Sequence, residues 1–209
     1  MTLATILARG AFLLGFICSP TLSHEQTPSA ESAPAMGSVA GQLLVASPDM
    51  GDPRFDHTVI LMIQHDRDGA IGVVINQPVA EREIAQLLEA IDQPDASAEG
   101  KVRVVSGGPV QRGVGFVIHS AEYRRAETVA LSGTIAVTSS ADILKDIGHR
   151  HGPNKVLVAF GYAGWGPGQL DREIAERAWA TTNADPALIF DRERDEIWDI
   201  AWARRSLNL

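Results

Sequence analysis

The sequence predicts an α+β domain, a mixed sheet with helices packed on it, and three observations carry that prediction. Early strand-like segments follow one another through turns, whereas later ones are joined through helix-like segments. The pair Asp68-Gly69 lies between two apolar runs, the setting of a hairpin turn. Ile84, Leu87, Leu88 and Ile91 are spaced i, i+3, i+4 and i+7, the stripe of an amphipathic helix. A doubly wound parallel sheet would alternate strand and helix throughout, and this chain does not.

Residues 42–47 (QLLVAS) read as the first strand, stopped by the turn cluster 48–53 (PDMGDP). Residues 57–64 (HTVILMIQ) form a nearly continuous apolar run, typical of a strand buried on both faces. The return strand of the hairpin covers 70–75 and ends at Asn76-Gln77-Pro78; the striped helix is predicted from about Glu81. After a polar loop over 92–100, a strand at 102–105 meets the turn Ser106-Gly107-Gly108-Pro109. Strands are expected at 114–119 and 134–138, with a weaker one near 128–130. Ser139 or Ser140 can cap a helix whose inward face is Ile143, Leu144 and Ile147, with Gly148 and Pro153 ending it. A strand at 155–160 then runs into a glycine-rich bend over 161–169, followed by a helix over 170–179. A last strand is expected at 187–190, then a short helix carrying Ile197, Trp198, Ala201 and Trp202.

The chain has 209 residues, 45% of them hydrophobic, enough for one domain with a substantial core. Its formal net charge is −8 and its basic residues are scattered. Nucleic-acid binders draw much of their affinity from a basic stripe, so direct DNA binding is disfavoured, as is an anionic membrane surface. At the front, Arg9 is followed by a short apolar stretch over 10–18 and then by Ser19-Pro20-Thr21-Leu22-Ser23. That is the pattern of a secretory leader over 1–23, cut before His24. The apolar stretch is shorter than the roughly 20 residues a bilayer-spanning helix needs, so no transmembrane segment is expected in the mature chain. Residues 24–38, rich in Pro, Ser, Ala, Glu and Gln, read as a flexible linker, and 39–209 as one domain. Location is therefore expected to be periplasmic or secreted; a translation start at Met36 would instead give a cytoplasmic protein. Cys18 is the single cysteine, and Ile17 is bulky where a lipidated cysteine follows a small residue. Removing 1–23 takes the net charge from −8 to −9 and leaves no thiol for a disulfide, a metal or nucleophilic catalysis.

The bend Gly161-Tyr162-Ala163-Gly164-Trp165-Gly166-Pro167-Gly168-Gln169 is the most distinctive run in the chain. Bare backbone N–H groups before a helix can receive an anion or a carbonyl. The same residues also suit a tight connection whose two aromatics plug a core. Trp165, on the glycine-rich stretch, is the tryptophan expected to be exposed, and Trp179 the one expected in the core. Asn76 can orient a ligand or bond within its own turn. His119 can act as a base only with a partner group within hydrogen-bond reach. Ser106 lacks the Gly-x-Ser-x-Gly elbow of a hydrolase. His149 and His151, at i and i+2, do not share a helical face, and no phosphate-binding or dinucleotide fingerprint is present.

Six ordered pieces resemble the AlgH/YqgE family over about residues 40–203. They are 41–48 (GQLLVASP), 55–60 (FDHTVI), 69–78 (GAIGVVINQP), 107–110 (GGPV), 115–119 (GFVIH) and 161–170 with Glu173-Ile174. The resemblance implies a mostly antiparallel, branched sheet curled into a pseudo-barrel. It implies no known enzyme; the family's label of transcriptional regulator rests on a link to alginate production. Most members carry no export signal, so the front of this chain argues against an intracellular regulatory role. The sequence therefore favours a noncatalytic module that binds a small ligand or a protein near the glycine-rich bend, with no cofactor and no metal. The candidate residues are Asn76, Gly107, Gly108, His119, Tyr162, Trp165, Gly168 and Gln169. Glycines would supply N–H donors, Tyr162 and Trp165 apolar walls, and Gln169 a polar contact, with Glu173 orienting the bend from within. Two rival readings are a hydrolase-like enzyme using Ser106 or His119, and an indirect regulator acting through a protein contact.

Overall fold

The computed structural model describes residues 37–206. The predicted leader, Cys18, Met36 and nearly all of the linker lie outside the described residues. Ten strands are present among them: β1 Gln42–Ala46, β2 Val59–Asp66, β3 Gly69–Val74, β4 Pro78–Glu83, β5 Lys101–Ser106, β6 Val110–Ser120, β7 Thr128–Ala130, β8 Ile135–Thr138, β9 Val156–Trp165 and β10 Trp179–Asn183. Four short helices join them: α1 Ile84–Ala90, α2 Asp142–Gly148, α3 Gln169–Ala175 and α4 Ile197–Ala203.

The strands form one curled sheet in the order β10-β1-β2-β3-β9-β6-β8-β7, a half-barrel with helices on it. Every pairing is antiparallel except that of β5 with β9. Along one edge of β9, Val158 to Phe160 pair with β5, and Ala163 to Trp165 pair with β3. The sheet therefore branches at Gly161-Tyr162, with β4 continuing outward from β5.

Curling a sheet gives it an inside and an outside, and alternation along each strand sorts side chains between them. Leu43, Leu61, Val73, Ile118 and Leu157 fill the inner core, which α4 closes through Ile197 and Ala201. On the opposite face of β1–β3, Leu44, Ile60, Met62 and Val74 are covered by α3 through Leu170 and Ile174. On the branch, α1 and α2 bury Ile84, Leu88, Ile143 and Leu144 against Val104, Val117 and Val158.

Three predicted elements differ. The helix expected from Glu81 begins at Ile84, because Glu81 to Glu83 complete β4 opposite Lys101 to Arg103. The helix expected through Trp179 stops at Ala175, and Trp179 instead opens β10, where its ring joins the apolar face under α3. The strand expected at 187–190 is a single π-helical turn, Ala187–Asp191, with Leu188, Ile189 and Phe190 all in the core. A short apolar run looks the same in either state, so length and neighbours decide. Arg194 holds that turn in place. Its buried guanidinium donates to the carbonyls of Ile75, Ile189 and Arg192, and burial, aided by nearby Arg103, pushes its pKa down to about 10.

Candidate functional site

The glycines of the two distinctive turns meet at the branch point. The Gly107 N–H donates to the Phe160 carbonyl at 2.7 Å, and the Gly107 carbonyl accepts from the Val74 N–H at 2.8 Å. A Cβ on Gly108 would stand 2.2 Å from the Tyr162 carbonyl carbon, and one on Gly161 would stand 2.4 Å from the Gly108 oxygen. Both residues hold positive φ, +147° and +79°. Their lack of side chains lets two backbones cross where β9 exchanges one neighbour for another.

Beyond the branch, Glu173 on α3 gathers the bend into a clasp. One carboxylate oxygen accepts from the indole N–H of Trp165 at 2.8 Å and from that of Trp179 at 2.9 Å. The other accepts from the Gln169 amide at 2.8 Å, and the Gln169 carbonyl oxygen accepts from the Gly166 N–H at 3.1 Å. The two indoles pack edge to face, 6.0 Å between centroids, with Phe55 5.5 Å from Trp179. Trp165 is only 8% exposed, which corrects the expectation that it projects to solvent. Strand alternation is the reason. Trp165 and Ala163 face the α3 side, while Tyr162, three residues earlier, packs edge-on against Phe116 in the inner core. The two aromatics therefore sit on opposite faces of β9 and cannot wall one hollow.

The remaining candidates are also engaged locally. Asn76 accepts from the Val59 N–H at 2.8 Å and donates to the His57 carbonyl at 2.9 Å, pinning the end of β3 to the start of β2. Its partners lie across the sheet, not in its own turn. His119 is fully buried, and burial pushes its pKa below the ordinary value, favouring the neutral ring. A neutral ring that donates from Nδ1 to the Ser120 carbonyl at 2.9 Å accepts at Nε2 from the Thr138 hydroxyl at 2.9 Å. Thr138 then accepts from Thr128 at 2.7 Å, whose oxygen accepts from the Arg125 N–H at 2.9 Å. Every donor in this chain has one direction. Ser106 lies opposite Phe160 and His119 opposite Val156, four positions apart on β9 and on opposite edges of it. At roughly 3.3 Å per residue that separation is about 13 Å or more, far beyond a hydrogen bond.

A recess lies at the other end of α3. It measures about 470 Å³ and is lined by Ser47, Pro48, Asp49, Glu176, Arg177, Ala178 and Trp202. Its floor is the junction of β1 and β10, where the Ser47 N–H donates to the Ala178 carbonyl at 2.9 Å. Its aromatic wall is rigid. Trp202 stacks on Trp198 with an interplanar angle of 7°, and the Arg205 guanidinium lies 4.1 Å from the Trp202 ring centroid. Trp198 is anchored by its N–H to the Ala46 carbonyl at 2.9 Å. Sequence reasoning missed this site; its one visible signal was the Trp198/Trp202 pair at i, i+4 on a terminal helix. A second hollow, about 80 Å³, is mainly apolar and lies among Ile91, Phe116, Leu144 and Phe160.

A branched, half-barrel α+β sheet with its glycine turns spent on the branch, and an open recess beside α3, defines the class of this protein. A sequence profile described as AlgH-like matches residues 43–209, and the chain belongs to that family. A UPF0301 protein from Ruegeria pomeroyi is 41% identical over 165 residues, covering 78% of this chain and 89% of the relative. Another, from Thioalkalivibrio sulfidiphilus, is 41% identical over 175 residues, covering 84% and 94%. The solution structure of the AlgH protein from Pseudomonas aeruginosa matches with a TM-score of 0.69 and 37% identity, over 83% of this chain and 91% of that one. A Corynebacterium diphtheriae protein, 21% identical, shares the fold with a TM-score of 0.61, over 77% of this chain and 84% of its own.

Proposed function

We propose that this chain is a noncatalytic binding module that holds a small polar ligand in the recess beside α3. One observation carries the reading. The Ser47 hydroxyl lines the recess, is open to solvent there and has no hydrogen-bond partner among the described residues. A hydroxyl open on the wall of a recess can both donate to and accept from an outside partner. The Trp202 indole N–H is likewise without a partner among the described residues, unlike the N–H groups of Trp165, Trp179 and Trp198. A concave site of a few hundred Å³ with an aromatic wall and a few converging polar groups suits a small molecule. In this reading the glycine-rich bend serves the site indirectly, by anchoring the start of α3, whose far end borders the recess.

Native mass spectrometry of protein purified from its own host tests the proposal. A small molecule retained at one per chain, and lost on Trp202→Ala, is the expected result; a mass equal to the bare polypeptide under gentle desolvation counts against it. The same spectrum reports the front of the chain. The reading places the module outside the cytoplasm, so the mature polypeptide should begin at His24; intact residues 1–23, or a start at Met36, would refute that location.

A further inference from the structure

The recess carries charge of both signs, and that balance bears on what enters it. Asp49 and Glu176 present carboxylates and Arg177 a guanidinium along one hollow. None of the three side chains takes part in an ion pair among the described residues, although charged neighbours such as Arg54–Asp52 and Arg204–Asp185 do pair. Arg177 is the left-handed residue that ends α3, φ +64°, its N–H bonded to the Ile174 carbonyl at 3.0 Å and the Ala178 N–H to the Glu173 carbonyl at 2.9 Å, and this cap fixes its backbone beside the recess. Beside these charges are two neutral donors, the Ser47 hydroxyl and the Trp202 indole N–H.

Resting on the reading of the recess as the binding site, we propose that its ligand is a small zwitterion bearing one ammonium and one carboxylate, a free amino acid or a short peptide. The guanidinium of Arg177 and the two neutral donors receive the carboxylate, a planar acceptor that arginine matches with two parallel N–H groups. Asp49 and Glu176 receive the ammonium. An anion without an amine meets two uncompensated carboxylates, and a cation without an acid meets Arg177. A neutral sugar leaves charges of both signs unmatched. A molecule with both charges answers each group, and the edge of Trp202 with Pro48 and Ala178 covers its apolar part. The volume of about 470 Å³ accommodates either an amino acid or a dipeptide.

Titration of the ¹⁵N-labelled full chain tests this, followed at the Trp202 indole and Ser47 amide resonances. L-alanine or diglycine is expected to shift both saturably, and which binds tighter separates free amino acid from peptide. N-acetylalanine and alanine methyl ester, each lacking one charge, should bind at least ten times more weakly. Arg177→Gly suits the left-handed backbone, so the fold is kept. It should weaken alanine at least tenfold and leave the methyl ester unchanged. Asp49→Asn with Glu176→Gln should bring N-acetylalanine level with alanine. Equal binding of the blocked and free forms, or saturable shifts with glucose, acetate or ethylammonium alone, overturns the zwitterion while the binding site stands. If no probe moves either resonance and the native protein carries no small molecule, both readings fall together.

Discussion

The two ends of α3 treat polar groups in opposite ways. At its start, Glu173 engages Trp165, Trp179 and Gln169, and Gln169 engages Gly166, so side chains that looked available for a ligand are consumed inside the molecule. At its end, Ser47, Trp202, Arg177, Asp49 and Glu176 surround a recess without satisfying one another. Only three positions separate Glu173, the centre of the structural clasp, from Glu176 in the candidate site. The lesson is that composition does not mark a site. Glycines and aromatics at the start of α3 are the more conspicuous in sequence, yet the less conspicuous end keeps its hydrogen-bonding capacity.

The comparison can be broken by substitution, most severely at the branch. Gly108→Ala places a Cβ 2.2 Å from backbone that cannot move aside, and is expected to cost more than about 4 kcal/mol, read as loss of folded soluble protein by circular dichroism. Gly113→Ala is its control, since a Cβ there meets nothing within 4 Å, and should keep the fold. Glu173→Ala strips two buried indoles of their acceptor and should lower unfolding free energy by about 3 kcal/mol in urea titration. Glu173→Gln, which retains an acceptor oxygen, should cost less, about 1 kcal/mol.

A third test is pH dependence. The folded state holds His119 below its ordinary value of 6.5, so the unfolded chain binds this proton more tightly. The contribution is complete above about pH 6.5 and is lost as pH falls from there through the folded-state value. His119→Gln should flatten that part of the stability profile; an unchanged slope would show that the ring is not held neutral. The smallest effect belongs to the recess. Ser47→Ala removes a hydroxyl with no protein partner and should change stability by no more than about 0.5 kcal/mol. A loss like that of Glu173→Ala would mean that the recess is as self-satisfied as the bend, and the contrast between the two ends would disappear.

Much of the fold was legible because its signals are local. A hairpin forms where the Asp68-Gly69 pair predicts one, although its two turn residues are Arg67-Asp68 and Gly69 opens β3 opposite Asp66, with the Asp68 N–H bonded to the Asp66 carboxylate at 2.8 Å. The helical stripe of Ile84, Leu87 and Leu88 is buried as its spacing implies. What escaped prediction were elements whose identity depends on a distant neighbour. Glu81 and Arg82 are strand because β5 lies beside them. Residues 187–190 are a π-helical turn whose Ile189 carbonyl, with that of Ile75, holds a buried arginine.

The sequence by itself determined the α+β class, the order of nearly all the elements and the set of apolar residues available to the core, because periodicity and turn chemistry act over a few residues. Only the tertiary structure decided which polar side chains are spent and which are left over. The partners of Asn76 lie 17 and 19 residues away in the chain, and the Ser47 recess is closed by a helix more than 150 residues further on. A hydrogen bond needs atoms within about 3 Å of each other, and only the folded chain brings such distant groups that close.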